Sequence, residues 1–160
     1  MWEELIDVLG KICLAYDGLT KLGEKKHNAL VLIDMSGLSK ILDEEQLIAA
    51  KIESLEIQRR NILHELSKTN SAISAATKAE DLYRNAPTRA IENRLVSLHK
   101  LLTKNVNAAV KIRDNNQVLA QGALDAVKYH LNRLSNAAVQ PTYGKSGGIV
   151  THQQKFDYQA

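Results

Sequence analysis

Mainly apolar residues in the first seventy positions recur at alternating steps of three and four. Such steps place side chains along one face of an α-helix, so each uninterrupted series predicts one long amphipathic helix. The first series consists of Trp2, Leu5, Leu9, Ile12, Tyr16, Leu19, Gly23, Lys26, Leu30 and Ile33. The second consists of Leu38, Ile41, Glu45, Ile48, Ile52, Leu55, Arg59, Ile62 and Leu66, and its helix ends near Thr69-Asn70.

The four residues Asp34-Met35-Ser36-Gly37 separate these two helices. Asp and Ser are preferred N-caps, so this segment offers caps for the second helix. Glu3 and Glu4 suit the positive N-terminal end of the first helix. Because the connection is so short, we predict that the two helices form an antiparallel hairpin.

The remainder of the chain predicts a short helix and then a very long one. Residues 71–83 are rich in Ala and predict a short helix that closes before Pro87, a residue suited to the first turn of the next helix. A third series predicts a helix over residues 88–138, before Pro141. Its members are Ile91, Leu95, Leu98, Leu102, Asn105, Ala109, Ile112, Asn116, Leu119 and Ala123.

The apolar series of the third helix moves by one position toward its C-terminus. The shifted members are Ala120, Leu124, Val127, Leu131 and Leu134. Two interpretations remain open. In the first, the helix is straight, because a straight helix drifts by about 20° per heptad against a 3.5-residue repeat and the shift then shows only that the helix is not supercoiled. Alternatively, the shifted series is a second stripe that faces a partner.

The predicted helix lengths also bear on whether the shifted series faces a partner. At about 1.5 Å per residue, the third helix reaches about 75 Å and the hairpin helices about 50 Å each. Unless the third helix bends, side chains such as Leu124, Val127 and Leu131 lack enough partners within the chain. Exposed apolar stripes mark interaction sites, so we expect a second copy of the chain or a client protein to cover them.

The last twenty residues follow no helical period. Residues 141–160 hold three of the eight Gly residues and three of the seven aromatic ones, which are Tyr143, Phe156 and Tyr158. We predict a flexible tail that follows a helical bundle of residues 1–140. Aromatic anchors in a flexible tail are typical of short recognition elements, and the alternative is an inert, frayed terminus.

Composition agrees with an all-α fold, namely a long antiparallel hairpin and a longer third helix in a coiled-coil-like bundle. The chain has 160 residues, 4% aromatics and only two Pro, and helix formers dominate. No apolar run approaches the roughly 18 residues of a membrane span. A lone Cys13 and a start without a secretion signal predict a reducing, cytoplasmic location.

Charge is divided unevenly along the chain. Residues 1–70 carry 9 Lys/Arg against 12 Asp/Glu, and residues 71–160 carry 12 against 6. The basic residues of the third helix occupy almost every heptad position, so they surround the helix and form no stripe for nucleic acid. We expect no nucleic-acid partner and no stable membrane insertion.

No constellation in the sequence predicts catalysis or a cofactor. Glu24 and His27 form a single Glu-x-x-His pair, whereas a bundled di-iron site needs a second such pair and two further Glu residues. We therefore predict no metal, no nucleotide and no enzymatic activity, with this segment as a solvated charged face and Cys13 as a small core residue. Asn105 and Asn116 in the third series predict amides that fix helix register, and Gly23 predicts the close approach of a neighbouring helix.

Several segments resemble the FlgN family of flagellar export chaperones. In the hairpin they are Tyr16-x-x-Leu19, Glu24-Lys25-Lys26, Leu30, Asp34 and Leu38, and then Glu45 and Leu55-Glu56-Ile57-Gln58-Arg59. In the third helix they are Asn116-Gln117-Val118-Leu119 and the apolar residues that follow, although Arg113 stands where the family often has Asn. In the tail they are Thr142-Tyr143-Gly144 and Phe156-Asp157-x-x-Ala160.

This resemblance implies a cytoplasmic chaperone that binds the terminal helices of hook-associated proteins, prevents their premature assembly and delivers them to the flagellar export gate. The expected client site combines the C-terminal part of the third helix with the tail. Its candidate residues are Leu119, Leu124, Val127, Leu131, Leu134, Tyr143, Phe156 and Tyr158. The rival hypothesis is a generic coiled-coil scaffold or adaptor without a role in export.

Overall fold

A computed structural model of the chain describes residues 1–70, 72–73, 77–137, 142–143 and 149–150. It contains the helices α1 (Trp2–Leu32), α2 (Met35–Thr69), α3 (Ala79–Arg84) and α4 (Arg89–Ala137), and the two-residue strands β1 (Thr142–Tyr143) and β2 (Ile149–Val150). The strands pair antiparallel, with Thr142 opposite Val150. The predicted all-α class is confirmed. The chain divides into two compact units, Met1–Leu119 and Ala120–Ala160.

The hairpin turn is shorter than its sequence predicts. Ile33 ends α1 in the left-handed conformation, with φ of 57°. Asp34 is the N-cap of α2, and its carboxylate accepts a hydrogen bond of 2.9 Å from the N–H of Gly37. This cap allows α2 to begin at Met35, so the second candidate cap, Ser36, lies inside the first turn of the helix.

The connection between α2 and α4 contains less helix than we predicted. Helix α3 begins only at Ala79, and the described residues from 72 to 78 are not helical. One reason is the side chain of Asn70, whose Oδ1 accepts a hydrogen bond from the N–H of Ala72 and so competes with helix continuation. Pro87 precedes α4 instead of opening its first turn, since the Thr88 hydroxyl caps α4 through the N–H of Ile91. Residues 71, 74–76 and 138 lie outside the described residues.

The hydrophobic core lies near the end of the hairpin that is distant from the turn. Its buried members come from every helix of the first unit and include Leu5, Ile12, Leu55, Leu66, Ile73, Leu82 and Leu95. All nine positions of the predicted α2 series are buried or partly buried, but only Leu55 and Leu66 are buried in full. Burial of α2 therefore decreases toward the turn, and its first twenty residues pack on one side only.

Helix α4 runs parallel to α1 within the first unit. Arg94 forms an ion pair with Glu3, the Asn105 amide donates to the Cys13 carbonyl, and the Asn116 amide donates to the Gly23 carbonyl. These contacts advance together along both helices, which fixes the parallel direction. The predicted seam of α4 is at least partly buried from Ile91 to Leu119.

Candidate protein-binding surface

The second unit presents an unbroken exposed stretch of α4. Every residue from Ala120 to Ser135 is exposed, and this stretch includes four large apolar side chains at heptad spacing. They are Leu124, Val127, Leu131 and Leu134, which we call the apolar stripe. Since the steps are three, four and three residues, these side chains share one helix face about 15 Å long.

The other candidate residues differ in what the structure describes. Leu119 is partly buried and belongs to the first unit, where it continues the seam of α4. Tyr143 lies in β1, and its side chain is not among the described ones. Phe156 and Tyr158 lie outside the described residues. The structure thus places the four stripe residues on one helix, and the part played by the tail aromatics stays a prediction.

The first unit ends in a polar network that aligns α4 with α1. Asn116 is 3% exposed, and its Nδ2 donates a hydrogen bond of 2.7 Å to the Gly23 carbonyl. Its Oδ1 lies 3.1 Å from Nδ1 of His27. Asn105 makes the same type of bond to the Cys13 carbonyl at 3.0 Å. Because amides buried in full, as in Asn116, or in part, as in Asn105, need partners at a set position along the opposing helix, the predicted register function of both residues is supported.

Gly23 lies at the tightest helix contact in this network. A Cβ built on Gly23 would lie 2.7 Å from Cγ2 of Ile112, a distance that real Cβ atoms essentially never show. The predicted close approach of a neighbouring helix is therefore confirmed. Only the missing side chain lets the carbonyl of Gly23 come within reach of Asn116.

The segment Glu24-Lys25-Lys26-His27 is not wholly the solvated face that we predicted. Lys26 pairs with Glu45 of α2 at 2.7 Å, and both side chains are about three-quarters buried. His27 contacts Asn116 of α4, as described above. Sequence alone could not show these partners, because they lie on other helices. Among the described residues no group of three or more His, Cys, Asp or Glu could hold a metal ion.

Beside this network lies an open cleft of about 290 Å³ between α1, α2 and α4. Its floor is mainly apolar, and the ion pair of Lys26 and Glu45 lies on its wall. Cleft residues include Tyr16, Leu19, Ala49, Ala109 and Ile112. Because its lining is mainly apolar, the cleft suits an apolar side chain.

Burial favours the protonated forms of two titratable side chains in the core, those of Cys13 and Tyr83. Cys13 is buried, its Sγ lies 3.7 Å from the Leu98 carbonyl, and burial raises the pKa of its thiol. Burial likewise raises the pKa of Tyr83, whose hydroxyl lies 3.3 Å from Nδ1 of His99. A thiol that resists ionisation is a poor nucleophile, which agrees with the prediction of Cys13 as a core residue.

A second exposed apolar patch, which the sequence pattern did not predict, lies at the hairpin turn. It consists of Val31, Leu32, Ile33 and Met35. The available signal was the run of apolar residues from Ala29 to Ile33, of which the three-and-four pattern assigned only Leu30 and Ile33 to the seam. Ile33 was predicted to be the last seam residue, and it is instead 78% exposed because the chain turns there.

Comparison with known proteins identifies one family. The model of the family described as FlgN protein matches residues 1–151 of the 160. No curated protein and no solved structure matches the chain. No helix among the described residues is both long and apolar enough to cross a membrane.

Proposed function

The chain belongs to the FlgN family of flagellar export chaperones, and from that premise we propose that it binds the terminal helices of hook-associated proteins. In this proposal the apolar stripe is the principal contact, and Tyr143, Phe156 and Tyr158 of the tail add aromatic anchors. The complex forms in the cytoplasm, prevents premature assembly of the client and is delivered to the flagellar export gate. No step requires catalysis or a cofactor.

The observation that carries this proposal is the exposure of α4 from Ala120 to Ser135. Upstream, the same helix buries or partly buries a residue at each three- or four-residue step from Ile91 to Leu119. Large apolar side chains at heptad spacing cost solubility when nothing covers them, and such stripes characterise surfaces that bind other helices. A client helix that packs its own apolar face on this stripe would remove both faces from water.

The same packing explains how a client would be kept unassembled. Terminal helices of a polymerising protein use their apolar faces to contact neighbouring copies. A chaperone that occupies those faces competes with self-assembly by mass action, so the free client concentration falls as chaperone is added. An interface built on exposed side chains of one helix needs little rearrangement of the chaperone, which suits repeated capture and release.

The test is capture of a hook-associated protein's terminal helices by chains with charged stripes. We expect Leu124→Asp and Leu131→Asp each to weaken binding at least about 30-fold, because a desolvated anchor contributes about 2 kcal/mol or more. Leu101→Asp is the matched control, since Leu101 lies on the same helix with 46% exposure against 47% for Leu124. It should leave binding unchanged. Titration calorimetry measures all three affinities.

Folding controls separate binding from stability. Leu124→Asp and Leu131→Asp should change the melting temperature little, whereas Leu55→Asp should lower it sharply because Leu55 is 5% exposed. If the stripe variants unfold the free protein as Leu55→Asp does, the stripe is core and the client site lies elsewhere. If they alter neither stability nor capture, the proposal is wrong. Equal capture of unrelated amphipathic helices would favour the scaffold hypothesis.

A further inference from the structure

The positions that flank the apolar stripe carry a basic side chain and no carboxylate. With Leu124 and Leu131 at heptad position a, Lys128 and Ser135 occupy position e, and Ala123 and His130 occupy position g. Positions e and g line the edges of a helix–helix seam, where charges select the partner. Lys128 and His130 are both exposed, and neither edge carries a carboxylate.

The single acidic residue between Ala120 and Ala137 lies away from the stripe. At about 100° per residue, Asp125 is about 140° from the midline of the stripe, whereas Lys128 is about 80° from it. The carboxylate of Asp125 also accepts a hydrogen bond of 2.9 Å from the amide of Gln121. Asp125 therefore lies outside a seam formed by the stripe, and in the structure it pairs with Gln121, although Lys128 is only three residues away.

These charges disfavour a second copy of the chain as the occupant. In an antiparallel pair the e positions face each other, so Lys128 would meet Lys128 of the other copy. In a parallel pair Lys128 would meet Ala123 and His130 would meet Ser135, so no ion pair would form. A partner helix with Glu or Asp beside its apolar face gains attraction in either orientation.

We propose that the apolar stripe selects amphipathic helices whose apolar face is flanked by acidic residues. This inference rests on the proposed function and specifies the chemistry of its client. The length of the stripe corresponds to about three helical turns of the partner. Residues 120–160 carry four Lys/Arg against two Asp, so the wider charge of this unit attracts the same partner.

Three synthetic peptides test this selectivity with the full chain. Each has the same Leu and Val residues at positions a and d, and its e and g positions are all Glu, all Gln or all Lys. Helicity of each peptide is matched by circular dichroism, and binding is measured by fluorescence anisotropy at low and high salt. We expect the Glu peptide to bind about five-fold tighter than the Lys peptide or better at low salt, with a smaller ratio at high salt.

Two charge reversals locate the effect. Lys128→Glu should abolish or invert the preference for the Glu peptide. Arg133→Glu changes net charge by the same amount on the far side of α4, about 140° from the midline, and should leave most of the preference intact. Leu131→Asp should weaken all three peptides alike, because it acts on the shared apolar contact.

Each other result overturns the inference. Equal affinities for the Glu and Lys peptides would show that the edges do not select charge, and equal effects of Lys128→Glu and Arg133→Glu would show that only net charge acts. Failure of all three peptides to bind would show that the stripe does not recognise this chemistry. The proposed function is judged separately, by capture of hook-associated helices with Leu124→Asp and Leu131→Asp.

Discussion

Replacement of Gly23 by Ala should destabilise the protein although Ala is the better helix former. The substitution alone would contribute about 1 kcal/mol of helix propensity. Against this gain, the new Cβ would lie 2.7 Å from Cγ2 and 3.1 Å from Cγ1 of Ile112. Both atoms are bonded directly to Cβ of a β-branched side chain, so they cannot rotate away cheaply.

The magnitude follows from two costs that occur together. Overpacking at a helix contact costs about 1–3 kcal/mol. If α4 moves away to relieve the overlap, the hydrogen bond of 2.7 Å from Asn116 to the Gly23 carbonyl lengthens, which costs about 1 kcal/mol more. We expect a net loss of about 1–3 kcal/mol in the free energy of unfolding, measured by urea denaturation followed at the helical circular dichroism band.

A double-mutant cycle and a matched control make this prediction specific. When Ile112→Ala is added to Gly23→Ala, the new Cβ at position 23 lies 3.5 Å from Cβ of residue 112, which is an ordinary contact. The double variant should therefore lose about 1 kcal/mol less free energy of unfolding than the sum of the two single variants. Gly10→Ala, also on α1, meets no atom within 4 Å and should stabilise by up to about 1 kcal/mol. If Gly23→Ala stabilises the protein as Gly10→Ala does, our conclusion that α4 packs closely against Gly23 of α1 is wrong.

Three further predictions concern the core. Cys13 should react with a thiol reagent far more slowly in the native protein than in denaturant, because it is buried and its pKa is raised; equal rates would contradict its burial. Because burial raises the pKa of Tyr83, its neutral hydroxyl contributes fully to stability below pH 10.0, its ordinary pKa, and this contribution is lost as the pH rises through the pKa of the folded protein. Tyr83→Phe should therefore reduce the decrease of the urea midpoint at alkaline pH. Asn116→Ala should cost about 1–2 kcal/mol and be non-additive with His27→Ala; additive effects would show that the two side chains do not interact.

Local pattern was enough to predict most of the helical architecture. The steps of three and four residues located α1 and α2, and they located α4 within one residue at each end. Only a helix places residues at those steps on one face, so burial on that face follows from the pattern itself. Errors appeared where side chains compete with the backbone for hydrogen bonds, as Asn70 does before α3 and Thr88 before α4.

The sequence by itself determined which face of each helix is apolar, and its helix lengths predicted that apolar side chains in the C-terminal part of α4 lack partners within the chain. Tertiary structure alone decided the partners of the polar residues within the first unit. His27 and Lys26 are neighbours in sequence, yet one contacts Asn116 of α4 and the other Glu45 of α2. It also decided that Ile33 is exposed at the turn. The spacing of residues in the sequence specifies which side of a helix they lie on. A contact between two helices also depends on the register and direction of the second helix, and these are fixed only when the two helices pack together.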